Sequence, residues 1–319
     1  MDDSNKKFTL SDLKIMQAWS LSRKIQVTQT RIIEWYQKWH GQVYISFSGG
    51  KDSTVLLDLA RRIYPDIPAV FCDTGLEYPE IREFVKTKEN VVWLRPKMSF
   101  RKVIETYGYP IGSKEISQKI YDYRRNPTGY AAGSFDADSD HIKKYGKGYL
   151  LTKWIPLRDS DYPVSHQCCN VMKKQPAKLY EKETGRKPII ATMTCESHLR
   201  KTAWMKHGCN AFDAKRPTSQ PMSFWTERDV LEYLSTFDIP YASVYGNIIR
   251  NEDGTLQTTG CDRTGCIFCG FGCHLEKEPN RFQKLKQTHP KLWEYCMKPW
   301  DGGGLGMKDV LAFIGVKTE

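Results

Sequence analysis

One short stretch, residues 43–53, constrains the fold of this chain more than any other. It reads VYISFSGGKDS: five residues rich in β-formers run into a pair of glycines, Gly49 and Gly50, and an apolar stripe at helical spacing follows. This order predicts a strand, a tight turn and a helix. The N–H groups and the dipole at the start of such a helix attract anions, and the glycines let the backbone approach a phosphate. We therefore expect an anion-binding loop at residues 48–53.

The side chains of this loop limit the class of nucleotide-binding protein. Ser48 and Ser53 add hydroxyl donors, and Lys51 adds a positive charge. The pattern GxxxxGK[ST] is not matched, since Asp52 stands in place of the final Ser or Thr and Ile45 in place of the first Gly. The dinucleotide pattern GxGxxG also fails here. A kinase-type nucleoside triphosphatase and a dehydrogenase are therefore both disfavoured.

Strand-like and helix-like patterns alternate along the chain around this loop. The predicted strands are 43–47, 69–72, 91–94 and 188–192, and the predicted helices are 53–63, 79–88, 100–107, 172–184 and 197–207. A further helix is expected directly after Thr226, its predicted N-cap. This alternation predicts an α/β fold with a parallel sheet flanked by helices.

Three segments are predicted along the chain. Residues 1–40 are an N-terminal helical segment with Ser11 as a helix cap, and residues 41–240 are the α/β domain. Residues 241–319 are a cysteine-rich, metal-binding and helical C-terminal region, with a helix over 280–297. Within the α/β domain, residues 108–163 are rich in Gly, Asp and Lys and are predicted to be an insertion or lid.

Net charge and cysteine content indicate which partners and which cellular compartment to expect for this chain. A net charge of +11 favours an anionic partner, such as a nucleotide or nucleic acid, although a solvated basic surface explains it equally well. The N-terminal sequence has no apolar segment of the signal-peptide type, and no window approaches the ~18 apolar residues of a spanning helix. We therefore expect a cytoplasmic protein with no membrane partner. In a reducing compartment, its ten cysteines are interpreted as metal ligands or catalytic thiols before disulfides.

The loop motif resembles a known superfamily. SGGKDS after a strand is similar to the pyrophosphate loop of the adenine-nucleotide α-hydrolase (PP-loop ATP pyrophosphatase) superfamily, whose sheet is Rossmann-like, of the HUP type. VFCDTGLEYPE, residues 70–80, resembles the second-strand motif of its phosphoadenosine phosphosulfate (PAPS) reductase branch. The resemblance implies nucleotide-binding roles for Ser48, Gly49, Gly50, Lys51, Asp52 and Ser53 at the phosphates and for Asp73, Thr74 and Gly75 at the adenosine.

A third element of the resemblance is IIATMTCESHLRKTAW, residues 189–204. It is similar to the R-x-E-E-S-x-x-R segment of the family, which reaches the phosphate or sulfate end of the substrate. The first Arg is missing here, and Cys195 stands at the first Glu. The resemblance implies that Glu196 and Ser197 contact the nucleotide and that Arg200 binds an oxyanion. The alternative for Arg200 is an ion pair with Glu196 at (i, i+4).

Six of the cysteines form two clusters. They are the tandem pair Cys168 and Cys169, and the later group Cys261, Cys266, Cys269 and Cys273. A tandem pair with a distant CxxC resembles the four-iron cluster ligation of adenylyl sulfate reductases, which implies a 4Fe–4S cluster on Cys168, Cys169, Cys266 and Cys269. A set built on Cys261, Cys266 and Cys269 with Cys169 or Cys273 stays open, as does a purely local set. Structural zinc is the alternative metal, and free thiols are the remaining interpretation.

These observations favour an enzyme that cleaves ATP between its α- and β-phosphates. It would use Mg²⁺, adenylate an acceptor and release pyrophosphate, with Lys51, Asp52 and Arg200 as catalytic residues. Similarity to iron–sulfur sulfurtransferase relatives implies sulfur transfer to DNA or tRNA, with a cysteine desulfurase or another sulfur donor. One alternative is a sulfonucleotide reductase that releases sulfite, although the Glu-Cys-Gly-x-His motif of such reductases is absent. The other is a zinc-containing nucleic-acid-binding protein without turnover.

Overall fold

A six-stranded sheet carries the glycine loop. The computed structural model describes residues 7–136, 138, 140, 143, 144, 146 and 150–319. The strands are β1 Val43–Ser46, β2 Ala69–Cys72, β3 Val91–Leu94, β4 Ile111–Gly112, β5 Lys187–Ile190, β6 Asn210–Ala211, β7 Thr218–Ser219, β8 Ile248–Arg250, β9 Leu256–Thr258 and β10 Gly270–Phe271. The helices are α1 Leu10–Gln17, α2 Leu21–Lys38, α3 Lys51–Arg61, α4 Pro79–Lys86, α5 Phe100–Tyr107, α6 Lys114–Arg125, α7 Ile155–Asp159, α8 Gln175–Thr184, α9 His198–His207, α10 Glu227–Thr236, α11 Arg281–Thr288, α12 Pro290–Met297 and α13 Met307–Phe313.

The strand order of the large sheet is β3-β2-β1-β5-β7-β6, so β1 is an interior strand. It pairs in parallel with β2 on one side and β5 on the other, and β6 runs antiparallel to β7 at the far edge. This is the predicted α/β fold, with a mostly parallel, Rossmann-like sheet flanked by helices. The chain winds in opposite directions on the two sides of β1. The end of β1 is therefore a topological switch point, where such sheets usually bind ligands.

The apolar stripe that follows the loop has the predicted role in the core. Val55, Leu56 and Leu59 of α3 are fully buried, and this helix packs on β1, whose Val43 and Ile45 are also fully buried. Burial of these side chains fixes the direction in which α3 leaves the sheet. The N-terminus of α3 is held at the carboxyl end of β1 as a result.

Backbone contacts divide the chain into two compact units, and each is described by itself. The sheet unit comprises the residues up to Asp73, Glu77–Arg95 and Pro176–Thr264. The cysteine unit comprises Thr74–Leu76, Pro96–Gln175 and Gly265–Glu319. The sheet unit contains the large sheet and the β8–β9 hairpin, and the cysteine unit contains the parallel pair β4–β10. The predicted segments 1–40, 41–240 and 241–319 cut the chain elsewhere, and their independence as domains stays a prediction.

Some predicted helix ends are wrong. α1 is capped by Thr9 rather than by Ser11, because the Thr9 hydroxyl accepts from the Asp12 N–H at 3.2 Å and the Asp12 carboxylate accepts from the Thr9 N–H at 2.7 Å. The helix predicted over 280–297 ends at Thr288 and restarts at Pro290. Proline is tolerated in the first turn of a helix but not in its interior, so two helices form.

The segment 108–163 contains regular structure. Ser113 caps α6, a twelve-residue helix that buries Ile116 and Ile120. Arg124 of its last turn donates hydrogen bonds to four backbone carbonyls between residues 157 and 162. Positions 137, 139, 141, 142, 145 and 147–149 lie outside the described residues, and the predicted lid stays a prediction. Among the described helices, none is long and apolar enough to cross a lipid bilayer.

Candidate functional site

Gly49 fixes the shape of the loop between β1 and α3. Its φ of +72° lies in the left-handed region, which glycine adopts at little cost. A Cβ atom at Gly49 would stand 2.8 Å from the Cγ2 atoms of both Ile81 and Val85 in α4. Both the conformation and the close approach of α4 therefore require glycine here.

The two loop serines hold the turn in place. The Ser53 hydroxyl accepts from the Ser48 N–H at 3.2 Å and donates to the Gly50 carbonyl at 3.0 Å, and the Ser48 hydroxyl accepts from the Gly50 N–H at 3.3 Å. Within the described residues, no side chain caps the helix that starts after Gly50. The N–H groups of its first turn are thus available to an anion at the switch point.

Lys51 is buried, and its contacts were not predicted from the sequence. Its side chain is 5% exposed, and its Nζ lies 2.9 Å from Oε1 of Glu227. The same ammonium lies 5.1 Å from the centre of the Tyr245 ring. Glu227 is the first residue of α10, whose N-cap is Thr226 as predicted. The lysine of the loop is therefore held by a carboxylate that an incoming phosphate would have to replace.

Asp52 sits in a field of mixed charge. Burial raises the pKa of its carboxyl, and the charges of Lys51, Arg263 and Arg200 partly offset that rise. Three cations are thus within electrostatic reach of one loop carboxylate. Such a carboxylate suits a hard cation such as Mg²⁺.

Glu196 brings two arginines together. Ser197 caps α9, and Arg200 from the first turn of that helix forms an ion pair with Glu196, so the predicted alternative contact for Arg200 is present. Arg263 pairs with the other oxygen of the same carboxylate. Burial lowers the pKa of Arg200, and repulsion from Arg263 lowers it further. One carboxylate therefore serves two guanidinium groups.

Two buried polar atoms lie at the ends of the strands that flank β1. Asp73 follows β2, and its Oδ2 lies 3.0 Å from Arg82, but its Oδ1 has no hydrogen-bond partner among the described residues. Thr194 follows β5, and its buried Oγ1 is likewise without a partner in the described part of the chain. Unsatisfied buried polar atoms are costly, so both positions fit contacts to a bound ligand.

Thr74 and Gly75 belong to the cysteine unit, directly after Asp73 in the chain. The Thr74 hydroxyl accepts from the Leu76 N–H at 3.2 Å. Gly75 has a φ of +73°, and a Cβ there would meet nothing within 4 Å. These contacts describe a tight turn with open space at its tip, and the adenosine role of both residues stays a prediction.

Four of the predicted metal ligands lie in the cysteine unit, where three of them are within electrostatic reach of the Cys168 thiol. Burial raises the pKa of the Cys168 thiol, and the thiolates of Cys169, Cys266 and Cys269 raise it further. Residues 170–174 after the tandem pair form a π-helix, a distortion that is frequent at functional sites. The Cys269 N–H donates to the Cys266 carbonyl at 3.1 Å, which closes the CxxC turn.

The other two clustered cysteines, Cys261 and Cys273, each have backbone contacts of their own. Cys261 belongs to the sheet unit, where its N–H donates to the Val244 carbonyl at 3.0 Å. Cys273 is buried, and its thiol donates to the Gly270 carbonyl at 2.9 Å. Nowhere in the described ranges are three His, Cys, Asp or Glu side chains arranged to hold a single metal ion. The metal site therefore stays a prediction.

Three residues of the site were missed from the sequence: Glu227, Tyr245 and Arg263. Glu227 carried a signal, since the first residue of a capped helix often bears a carboxylate, but nothing in the sequence assigned it to Lys51. Tyr245 and Arg263 flank a hairpin whose return path the sequence does not reveal. Arg263 lies beside the cysteine motif, and because that stretch was interpreted as metal-binding, no nucleotide contact was assigned to Arg263.

A Rossmann-like sheet with a glycine loop at its switch point defines a nucleotide-binding α/β protein. The family model described as phosphoadenosine phosphosulfate reductase domain matches residues 42–122. Adenosine 5'-phosphosulfate reductase of Staphylococcus epidermidis is 38% identical over 233 residues, which cover 72% of this chain and 73% of that protein. The chain belongs to the phosphoadenosine phosphosulfate reductase family.

Other similarities are more distant or partial. An uncharacterised protein of Methanocaldococcus jannaschii is 27% identical over 263 residues, which cover 81% of this chain and 41% of that protein. The chain spans less than half the length of this relative and of a second one from the same organism. The solved PAPS reductase of Candida auris is 13% identical with a TM-score of 0.39, covering 78% of this chain and 98% of that chain.

Proposed function

We propose that this chain is a PP-loop enzyme that cleaves ATP between the α- and β-phosphates and adenylates an acceptor. The observation that carries the proposal is the complete SGGKDS loop, with its glycine geometry, two interlocked serines and open helix start at the switch point. In the reaction, an acceptor atom attacks the α-phosphorus and the bond to the bridging oxygen breaks. AMP stays on the acceptor, and pyrophosphate leaves with the bonding electron pair.

The loop residues would act through positioning and charge. The helix N–H groups and Lys51 would hold the departing pyrophosphate, once the phosphate displaces Glu227 from the ammonium. Asp52 would hold Mg²⁺, which neutralises charge on the phosphates. Asp73, with its unsatisfied Oδ1, would contact the nucleoside, and Thr194 would contact the phosphate end of the nucleotide beside Glu196 and Ser197.

A nucleic acid is the proposed acceptor, with sulfur transfer from a cysteine desulfurase or another donor as the following step. The cysteine unit has 22 Lys and Arg against 14 Asp and Glu, so it carries +8 of the net charge of +11. On and after α6, Lys119 lies 4.0 Å from the Tyr130 ring and Arg125 lies 5.3 Å from the Tyr121 ring. Cations over aromatic rings suit phosphate contacts and base stacking.

The proposal includes a 4Fe–4S cluster on Cys168, Cys169, Cys266 and Cys269. Four cysteine sulfurs are the usual donor set for such a cluster, and of the four Cys168 is buried while the other three are partly exposed. When bound, the cluster supplies redox-active iron and sulfide. Anaerobic purification, iron and zinc analysis and the visible absorbance spectrum test this part, with Cys72→Ser as a control for the loss of an unrelated thiol.

A sulfonucleotide reductase is the second candidate. It is favoured by the 38% identity to an adenosine 5'-phosphosulfate reductase. This enzyme would bind a nucleotide that carries sulfate: one thiol would attack the sulfur and displace AMP, and a second thiol would then release sulfite and leave a disulfide. The exposed Cys195 lies within electrostatic reach of Asp52 and would be a candidate for the attacking thiol.

Product analysis separates the two functions. Anaerobically purified protein is given ATP and Mg²⁺ in one reaction and adenylyl sulfate in another, each with and without DNA or tRNA. Pyrophosphate from ATP supports the proposal, and its loss in Lys51→Met but not in the exposed Lys7→Met assigns it to the loop. Sulfite from adenylyl sulfate would overturn the proposal in favour of the reductase. Absence of both products would leave a nucleic-acid-binding protein without turnover.

A further inference from the structure

Arg263 reaches the loop site from a part of the chain that belongs to no recognised nucleotide motif. Its Nη2 contacts Oε1 of Glu196, while Arg200 contacts Oε2 of the same carboxylate. The charge of Arg263 also acts on Asp52 in the loop. Arg263, Glu196, Arg200 and Asp52 therefore form one cluster within the sheet unit.

The backbone around Arg263 is anchored next to the loop. At the base of the β8–β9 hairpin, the Gly260 N–H donates to the Tyr245 carbonyl at 2.9 Å. A Cβ at Gly260 would stand 2.4 Å from the Val244 carbonyl oxygen, so the two chain segments that form the base are closely packed. Thr264, the residue after Arg263, places its hydroxyl 3.1 Å from the Tyr245 hydroxyl.

Tyr245 in turn fixes this base on the glycine loop. Its side chain is buried, and its hydroxyl would lie 3.2 Å from a Cβ at Gly50. Its ring lies against the ammonium of Lys51. The guanidinium of Arg263 is thus presented from a fixed base rather than from a loose tail.

The contacts of Arg263 leave capacity for an anion. A guanidinium has five N–H donors in a planar fork, and the contact with Glu196 uses Nη2. The side chain is 62% exposed, and Glu196 has one negative charge for two arginines. Asp52, the other carboxylate of the cluster, is assigned to Mg²⁺ in the proposed function, so the pair of arginines retains a positive charge that a phosphate group would neutralise.

We infer that Arg263 is a further binding residue of this site and that it holds the terminal phosphates of a nucleoside triphosphate whose chain lies on the glycine loop. The inference rests on the proposed function. It deepens it by making the site specific for a polyphosphate rather than for a nucleoside monophosphate. A charge-assisted, forked contact of this kind typically changes affinity by about 10- to 100-fold.

The test measures binding of ATP, inorganic pyrophosphate and AMP to the purified chain by calorimetry. Arg263→Gln should weaken ATP and pyrophosphate about 10- to 100-fold and leave AMP within about twofold. Arg263→Lys should restore part of the loss, because it returns the charge without the fork. Arg250→Gln is the matched control, since Arg250 lies on the same hairpin and bonds to the Gly254 carbonyl.

Each outcome decides something. Equal ATP affinity in Arg263→Gln and Arg250→Gln, with the wild type binding ATP, would overturn the role of Arg263 and leave the proposed function intact. Equal losses for ATP and AMP would also overturn it, because they indicate a general disturbance of the site. If the wild type binds neither ATP nor pyrophosphate, the proposed function fails and the inference fails with it. Thermal unfolding of the variants checks that each one is folded.

Discussion

At the scale of single residues, two glycines with the same backbone conformation distinguish the cost of backbone strain from the cost of a side-chain clash. Gly49 and Gly185 both have a φ of +72°, but a Cβ at Gly185 would meet nothing within 4 Å. We expect Gly185→Ala to lower the unfolding free energy by about 1 kcal/mol, because alanine is disfavoured in the left-handed backbone region by about that amount. Gly49→Ala should cost about 2 kcal/mol more, because its Cβ would also clash with Ile81 and Val85.

Urea denaturation of the two variants measures this difference. Nucleotide binding is the second readout, since the shift of α4 or of the loop in Gly49→Ala should abolish it while Gly185→Ala binds normally. Equal destabilisation of the two variants would mean that α4 yields easily, and the loop would then not depend on the absence of a side chain at Gly49.

Glu227 competes with an anion for Lys51. Because its carboxylate lies 2.9 Å from the ammonium, a bound phosphate must displace it. We therefore expect Glu227→Gln to bind pyrophosphate more tightly by roughly three- to tenfold, which corresponds to about 1 kcal/mol. Isothermal calorimetry measures the change, with Glu232→Gln on the same helix as the control for lost negative charge. Weaker binding in Glu227→Gln would show instead that Glu227 orients Lys51 for the ligand.

At the scale of elements, a buried ion pair attaches α10 to α2. Lys24 of α2 is 2% exposed, and its Nζ lies 2.6 Å from Oδ2 of Asp229, which also accepts from the Thr226 N–H at 2.7 Å. The start of α10, and with it Glu227, is thereby fixed from the N-terminal helices. Breaking such a pair leaves a buried charge without its partner.

Lys24→Met should lower the unfolding free energy by about 3 kcal/mol. It should also leave the start of α10, and therefore Glu227, less firmly positioned. Lys7→Met is the matched control, because Lys7 and its partner Asp213 are 63% and 87% exposed and 3.7 Å apart. That control should change stability by less than about 0.5 kcal/mol. Similar effects of the two substitutions, measured by chemical denaturation, would contradict the role given to the buried pair.

A second element-scale feature is the turn before α11, which predicts a pH dependence. Burial alone would raise the pKa of Glu276, but hydrogen bonds from Arg281 outweigh it and hold the pKa below its ordinary value. A carboxylate with a lowered pKa stabilises the fold above the unfolded-state pKa of about 4.3, and this contribution is lost as the pH falls through the lowered value.

Glu276→Gln should therefore lose stability at neutral pH and lose less on acidification than the wild type. Thermal unfolding from about pH 7 to pH 3 compares the two proteins, with Glu294→Gln on α12 as an exposed control. Parallel curves for wild type and Glu276→Gln would show that the Arg281 contact contributes nothing measurable.

The sequence was informative where local chemistry decides structure. The strands at 69–72 and 91–94 and the helix at 100–107 have the predicted bounds. Short apolar runs with Val and an aromatic residue mark the two strands, and a serine cap marks the helix. α6 was hidden because its two buried isoleucines are surrounded by charged residues and precede a Gly- and Asp-rich stretch. The contact between Glu196 and Arg263 could not be predicted, since 67 residues and a hairpin separate them.

At the scale of the whole molecule, the basic surplus is uneven. The cysteine unit carries +8 and the sheet unit carries +3. If DNA or tRNA binds through the cysteine unit, the logarithm of the binding constant should fall linearly with the logarithm of the salt concentration. Lys119→Gln combined with Arg125→Gln should lower the slope by about 1 to 2.

The control combines Lys178→Gln with Lys182→Gln, which removes the same charge from α8 in the sheet unit. Fluorescence anisotropy over a salt series measures all three proteins. Identical slopes for both double variants would assign binding to the general charge of the molecule rather than to the rings and cations around α6.

The tip of the β8–β9 hairpin is a suitable insertion site for an affinity peptide. Its base carries the packing against the glycine loop, whereas its tip turns at residues 251–255, where the Gly254 N–H donates to the Asn251 carbonyl and Glu252 and Asp253 are exposed. An affinity peptide inserted between Glu252 and Asp253 would face solvent and leave the anchored base intact. The protein could then be captured quickly under argon from an internal position, with both chain ends left as they are.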